Sequence, residues 1–119
     1  MDLRSYPDNV QSLASHARQR LREWLPGARE TEDQSARLFA YAYAPGYRGM
    51  VCTLILSKSG IKLGIVGGAS FADRHNLLRG SGKVHRHIPL KAVDDLKQPG
   101  IRELVAAASE ACRQRLGQA

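Results

Sequence analysis

Two apolar runs, MVCTLILS (50–57) and IKLGIVGG (61–68), stand three residues apart, across Lys58-Ser59-Gly60. No other feature constrains the fold as much. So short a connection joins neighbouring strands only in antiparallel fashion, because a parallel pair needs a crossover of a dozen residues or more. The near-continuous apolar character of 50–57 predicts a central strand. In 61–68, Ile61, Leu63 and Ile65 share one face, and Lys62, Gly64 and Val66 share the other. A glycine inside a strand predicts close approach of another chain segment to its backbone. Upstream, LFAYAYA (38–44) reads as a further strand with Tyr41 and Tyr43 on one face, joined to 50–57 by the turn PGYRG (45–49). The three strands form an antiparallel meander.

Helical periodicity flanks this meander. Leu13, Ala17, Leu21 and Leu25 repeat every four residues and predict a helix over about 9–25, with Trp24 widening its apolar stripe. Asp8 is placed to cap it, and Pro26-Gly27 stops it. At the other end, Ile101, Leu104, Val105, Ala108 and Cys112 mark the apolar face of a helix over 99–116. Pro99 suits its first turn, and Arg113 and Arg115 complement the dipole at its end. The segment ARETEDQSA (28–36) reads as a polar connection and holds the one dense acidic group, Glu30, Glu32 and Asp33. A long connection covers 69–83, with a short helical turn at 73–78. A fourth strand, VHRHIPLK, covers 84–91. The predicted fold is a two-layer α+β domain: an antiparallel sheet of four to five strands, with N- and C-terminal helices packed on one face.

With 119 residues, 43% of them hydrophobic and 24% charged, the chain fits one globular domain over 1–119. Cys52, in a central strand, and Cys112, on a helix's apolar side, read as small buried hydrophobes rather than a disulfide framework. The first residues, MDLRSYPDNV, carry no apolar signal region, and no stretch approaches the ~20 apolar residues of a membrane span. The expected setting is cytoplasmic, with no membrane partner.

The formal net charge of +7 favours anionic partners. Its centre of gravity is the segment 73–91, where Arg74, Arg79, Lys83, Arg86 and Lys91 face one acid, Asp73. Within it lies GSGKVHRHI (80–88). A phosphate-binding loop of the G-x-x-x-x-G-K-[ST] type would need glycine at Leu77 and a hydroxyl residue at Val84, and would lead into a helix; both positions fail. Gly80-Ser81-Gly82 is therefore a turn into the strand. His85 and His87 point to one side of that strand, but two ligands do not make a zinc site, so no metal or cofactor is expected.

Strand parity puts Val84, Ile88 and Leu90 on the core face, and Lys83, His85, His87 and Lys91 on the exposed one. Arg86 falls on the core parity, where a guanidinium must find acceptors. It either ties down the 69–80 loop, for instance through Asp73, or meets an anionic ligand, which its planar fork suits.

The stretch 50–91 resembles the YdhG-like family, a bacterial domain of unknown function. The residues that carry the likeness are Val51, Cys52, Leu63, Gly64, Gly68, Ala69, Asp73, Leu77, Leu78, Gly80, Gly82, Lys83, Arg86, His87 and Ile88. The family's aspartate-proline pair is Asp73-Arg74 here. The resemblance implies a fold like that of secretion chaperones, with helices against an antiparallel sheet. Through relatives described as frataxin-like, it also implies iron handling, which would call for an acidic oxygen-rich surface.

The function expected from these readings is a non-catalytic binding domain for an anionic small molecule or protein, through Arg86, Lys83, His87, Asp73 and Arg79. Metal handling by His85, His87 and Asp73 or the 30–33 acids is the alternative. An enzyme on a small substrate would call for a concave pocket around Arg86, although spacing shows no Ser/His/Asp or Cys/His arrangement. Nucleic acid is a weaker expectation, because Tyr41 and Tyr43 are not placed beside the basic strand. A homodimer stays open.

Overall fold

The computed structural model describes residues 1–117. Helix α1 spans Asp8–Trp24 and is followed by strands β1 (Arg29–Asp33), β2 (Leu38–Ala42), β3 (Met50–Ser57), β4 (Gly60–Ile65) and β5 (Arg86–Leu90), then helix α2 (Pro99–Arg115). The strands form one antiparallel sheet in the order β1-β2-β3-β4-β5. Both helices pack on the same face of β3 and β4, as the two-layer α+β expectation requires. The buried stripe of α1 is Val10, Leu13, Ala14, Ala17 and Leu21; that of α2 is Ile101, Leu104, Val105, Ala108 and Cys112. They meet Cys52, Leu54 and Leu56 of β3 and Ile61, Leu63 and Ile65 of β4 in one continuous core. Leu13, Leu54 and Leu63 are fully buried, each contributing about 2 kcal/mol by leaving water.

Strand β1 corrects the expectation of a polar connection over 28–36. RETED has no apolar residue, so it shows no hydrophobic alternation. It pairs with β2 in the register Glu30–Tyr41 and Glu32–Phe39, which turns both glutamates toward the helix side. There Glu30 meets Arg18 of α1, and Glu32 meets the N-terminal ammonium. Ion pairing replaces apolar burial as the reason for the strand. Asp8 is also corrected: it is the first helical residue, and Pro7 occupies the cap position. The helical turn expected over 73–78 is absent, and the chain there forms irregular turns.

Two local features shape the uncovered face of the sheet. The pairing of β2 with β3 slips between Tyr41, opposite Cys52, and Ala42, opposite Met50. The extra residue, Val51, turns into the core and is fully buried, whereas Met50 comes to the uncovered face. A β-bulge re-aims side chains in this way. The close approach expected at Gly64 is made by its cross-strand neighbour: a Cβ there would lie 2.4 Å from Thr53 Oγ1. The glycine keeps the middle of that face hollow.

Candidate functional site

The uncovered face carries two adjoining cavities. The first, of about 350 Å3, has Thr53 and Ile55 of β3 and Gly64 and Val66 of the β4 segment as its floor. Gly80, Gly82, His85, Arg86 and His87 wall it on one side, and Tyr47 and Met50 on the other. The second, of about 700 Å3, lies over Thr31, Ala40 and Ala42, with Arg29 at β1 and the hairpin 43–47 around it. Tyr47 and Met50 line both. Among the described residues, no carboxylate lines either cavity.

Arg86 is not buried among the apolar core residues its parity suggests. It stands at the very start of β5, opposite Ile65, half-buried at the end of the sheet. Its guanidinium makes one hydrogen bond, to the His85 carbonyl at 3.3 Å, and among the described residues it has no salt bridge. The pairing with Asp73 that parity invited is not formed. Val84, placed on the core face by the same reasoning, precedes the strand and is 56% exposed.

The other expected site residues separate into two groups. His87 lies beside Arg86 on the cavity wall, and burial, with the Lys62 charge on the neighbouring strand adding to it, holds its imidazole below the usual range. Lys83 is exposed on the loop and lies outside the cavity lining. Asp73 and Arg79 are committed to the backbone of their own loop. The Asp73 carboxylate accepts from the Leu77 and Leu78 amides at 2.8 and 2.9 Å. Arg79 donates to the Asn76 and Leu78 carbonyls, and its backbone pairs with His87 at 2.7 and 3.0 Å. These two residues position the loop that walls the cavity. Replacing Asp73 with Ala is expected to cost about 1–2 kcal/mol, the loss of two amide bonds to a charged acceptor. Faster hydrogen exchange at Leu77 and Leu78 is the measurement.

His85, read from the sequence as a metal-handling candidate, instead steadies a residue the sequence did not single out, Tyr47. His85 Nδ1 accepts the Gly67 amide at 3.0 Å, so in the neutral ring the hydrogen sits on Nε2. That nitrogen meets the Tyr47 hydroxyl, with the rings edge to face and centroids 5.5 Å apart. Tyr47 is thereby held upright while remaining 60% exposed. A tyrosine inside a Pro/Gly turn, with no burial duty, was the available signal.

The acidic group at 30–33 is dispersed. Glu30 accepts from Arg18 at 2.7 Å, from Arg22 at 3.0 Å and from the Tyr41 hydroxyl. Asp33 accepts from Ser35 and the Ala36 amide. Cys52 is buried, and burial pushes its thiol well above the usual range, which keeps it unreactive. No helix among the described residues is long and apolar enough to cross a membrane.

Neither the protein-family models, the curated proteins nor the solved structures contain a match to this chain. What the site can do rests on its own chemistry. Among the described residues it offers an apolar floor, a guanidinium without an acid partner, two imidazoles, an exposed phenol and no lining negative charge.

Proposed function

We propose that this protein is a non-catalytic binding domain of YdhG-like type that takes an anionic ligand on the uncovered face of its sheet. The carrying observation is Arg86, whose guanidinium stands at the wall of an apolar-floored cavity with no carboxylate among the described residues lining it. A low-dielectric floor strengthens charge-assisted hydrogen bonds to a carboxylate or phosphate, and the planar fork orients it.

The cavity around Arg86 is also what an enzyme would need. Among the described residues, however, its lining contains no serine, cysteine or carboxylate, and its one hydroxyl in contact with an imidazole is that of Tyr47. Binding therefore has more support than turnover. Metal handling has less: Glu30 is already shared by three donors, and among the described residues no three His, Cys, Asp or Glu side chains converge.

Titration with inorganic pyrophosphate and with naphthoate, followed by amide and imidazole NMR signals, tests the reading. Saturable shifts are expected at Gly64, Gly80 and His87, weakening as salt rises. Replacing Arg86 with Ala should weaken binding about ten-fold, the worth of one hydrogen bond to a charged group. An anion beside His87 raises the affinity of its ring for a proton, so binding takes up a proton and tightens as pH falls from 8 toward 6. Silence of these signals toward every anion tried would remove the proposal.

A further inference from the structure

The two cavities meet at a single exposed aromatic ring. Tyr47 lines both, His85 steadies it from one side, and Met50 lies with it on the divide. Each volume falls in the range of a site for one small ligand, ~300–1,000 Å3. Cations stand at the two outer ends, Arg29 on β1 and Arg86 on β5, strands that lie about 19 Å apart across four strand spacings. Flat floors, a central stacking ring and cations with no acid among the described lining residues are the parts of a surface that binds unpaired bases along a charged backbone.

Resting on the reading that this face takes anions, we propose that its ligand is a short single-stranded nucleic-acid segment. Adjacent bases occupy the two cavities on either side of Tyr47, and Arg29 and Arg86 meet the flanking phosphates. Duplex is a poorer fit, because its bases are stacked on one another and cannot reach either cavity. A second copy of this chain is a poorer fit as well. It would bring +7 against +7, with Arg29, Lys62 and Arg86 set against their own kind.

Fluorescence anisotropy with labelled oligo-dT and oligo-rU of graded length tests this, with a duplex of matching length in parallel. Single strands are expected to bind more tightly than duplex, with affinity rising steeply from mononucleotide to trinucleotide. The comparison of dT with rU shows which sugar is preferred. Replacing Tyr47 with Ala should weaken binding ten-fold or more while leaving the salt slope unchanged, and Tyr47→Phe should restore it, since the ring supplies the stacking. Arg29→Ala and Arg86→Ala should each lower the log–log salt slope by about 0.7.

Equal binding of duplex and single strand, or a neutral Tyr47→Ala, would overturn the proposal in favour of plain charge attraction. Sedimentation showing a dimer that Tyr47→Ala dissolves would overturn it in favour of self-association. Failure of every oligonucleotide while pyrophosphate or naphthoate still shifts Gly64 and His87 would overturn it and leave the anion site standing. Failure of all anions would remove both.

Discussion

Replacing Gly49 with Ala is expected to destabilise the protein by about 3 kcal/mol or more, at the upper end of what overpacking costs. A Cβ at this position would lie 2.2 Å from the Ala44 carbonyl oxygen, 2.6 Å from its nitrogen and 2.7 Å from its carbonyl carbon. All three atoms are backbone, so no side chain can swing aside. Relief requires the β2–β3 connection to open, which breaks the hydrogen bonds from the Tyr43 amide to Gly49 and from the Gly49 amide to Gly46. Thermal melting should show the midpoint falling by roughly 10–20 °C. Because Tyr47 and Met50 flank this glycine, any folded fraction should also lose the wall between the two cavities. A midpoint within a few degrees of the parent would show that the hairpin does not hold Gly49 against Ala44.

The second large effect is expected at Glu30. Its side chain is 17% exposed and accepts from Arg18, Arg22 and Tyr41 at once. Glu30→Ala leaves the buried Tyr41 hydroxyl without its acceptor. The Arg18 guanidinium, which lies over the Phe39 ring, loses its counter-ion. A loss of about 2–3 kcal/mol is expected, below the value for a fully buried pair because water reaches this one. Glu30→Gln keeps an acceptor for Tyr41 and should lose about half as much. Acid adds a signature of its own. Burial alone would raise the Glu30 carboxyl, but the three donors outweigh it and hold it at about 2, against an ordinary 4.5.

A carboxyl lowered by folding stabilises fully above its ordinary value, and that stability is lost as pH falls toward the folded one. After allowance for screening, the gap is worth about 2 kcal/mol. Urea midpoints of the parent should therefore fall between pH 4.5 and 2 more steeply than those of Glu30→Gln. Parallel curves would sink the assignment. His87 acts in a higher window. Its lowered value means that folding favours the neutral ring, so its contribution is present above the ordinary histidine range and declines as pH drops below about 6.5.

Much of the architecture was legible because periodicity reports burial. The stripe of α1, the face of α2 and the runs of β3 and β4 each sit where one side of an element meets the core. The reading failed where burial was not the organising force. β1 exists because Glu30 and Glu32 find cations and a phenol on the helix side, a pattern that alternation does not record. Parity likewise extended β5 two residues too far, and so gave Val84 a core position it does not have. Of the site, the sequence pointed to Arg86 and His87, but it also gathered Asp73 and Arg79, whose charges serve loop backbone. Met50 was out of reach, because a bulge brings it to the cavities, and Tyr47 offered only its place in a Pro/Gly turn as a signal.

The sheet ends differently at its two margins, and both endings discourage growth. β1 carries a charge at four of its five positions, so a strand adding beside it would set its own side chains against Arg29, Glu30, Glu32 and Asp33. β5 carries Pro89, which has no amide hydrogen to offer, and the Arg79 backbone already occupies the position beside His87. Neither border is a template for fibril-like stacking of copies. A concentrated solution should therefore resist strand-by-strand polymerisation, which leaves the broad side of the sheet, rather than its rim, as the open surface.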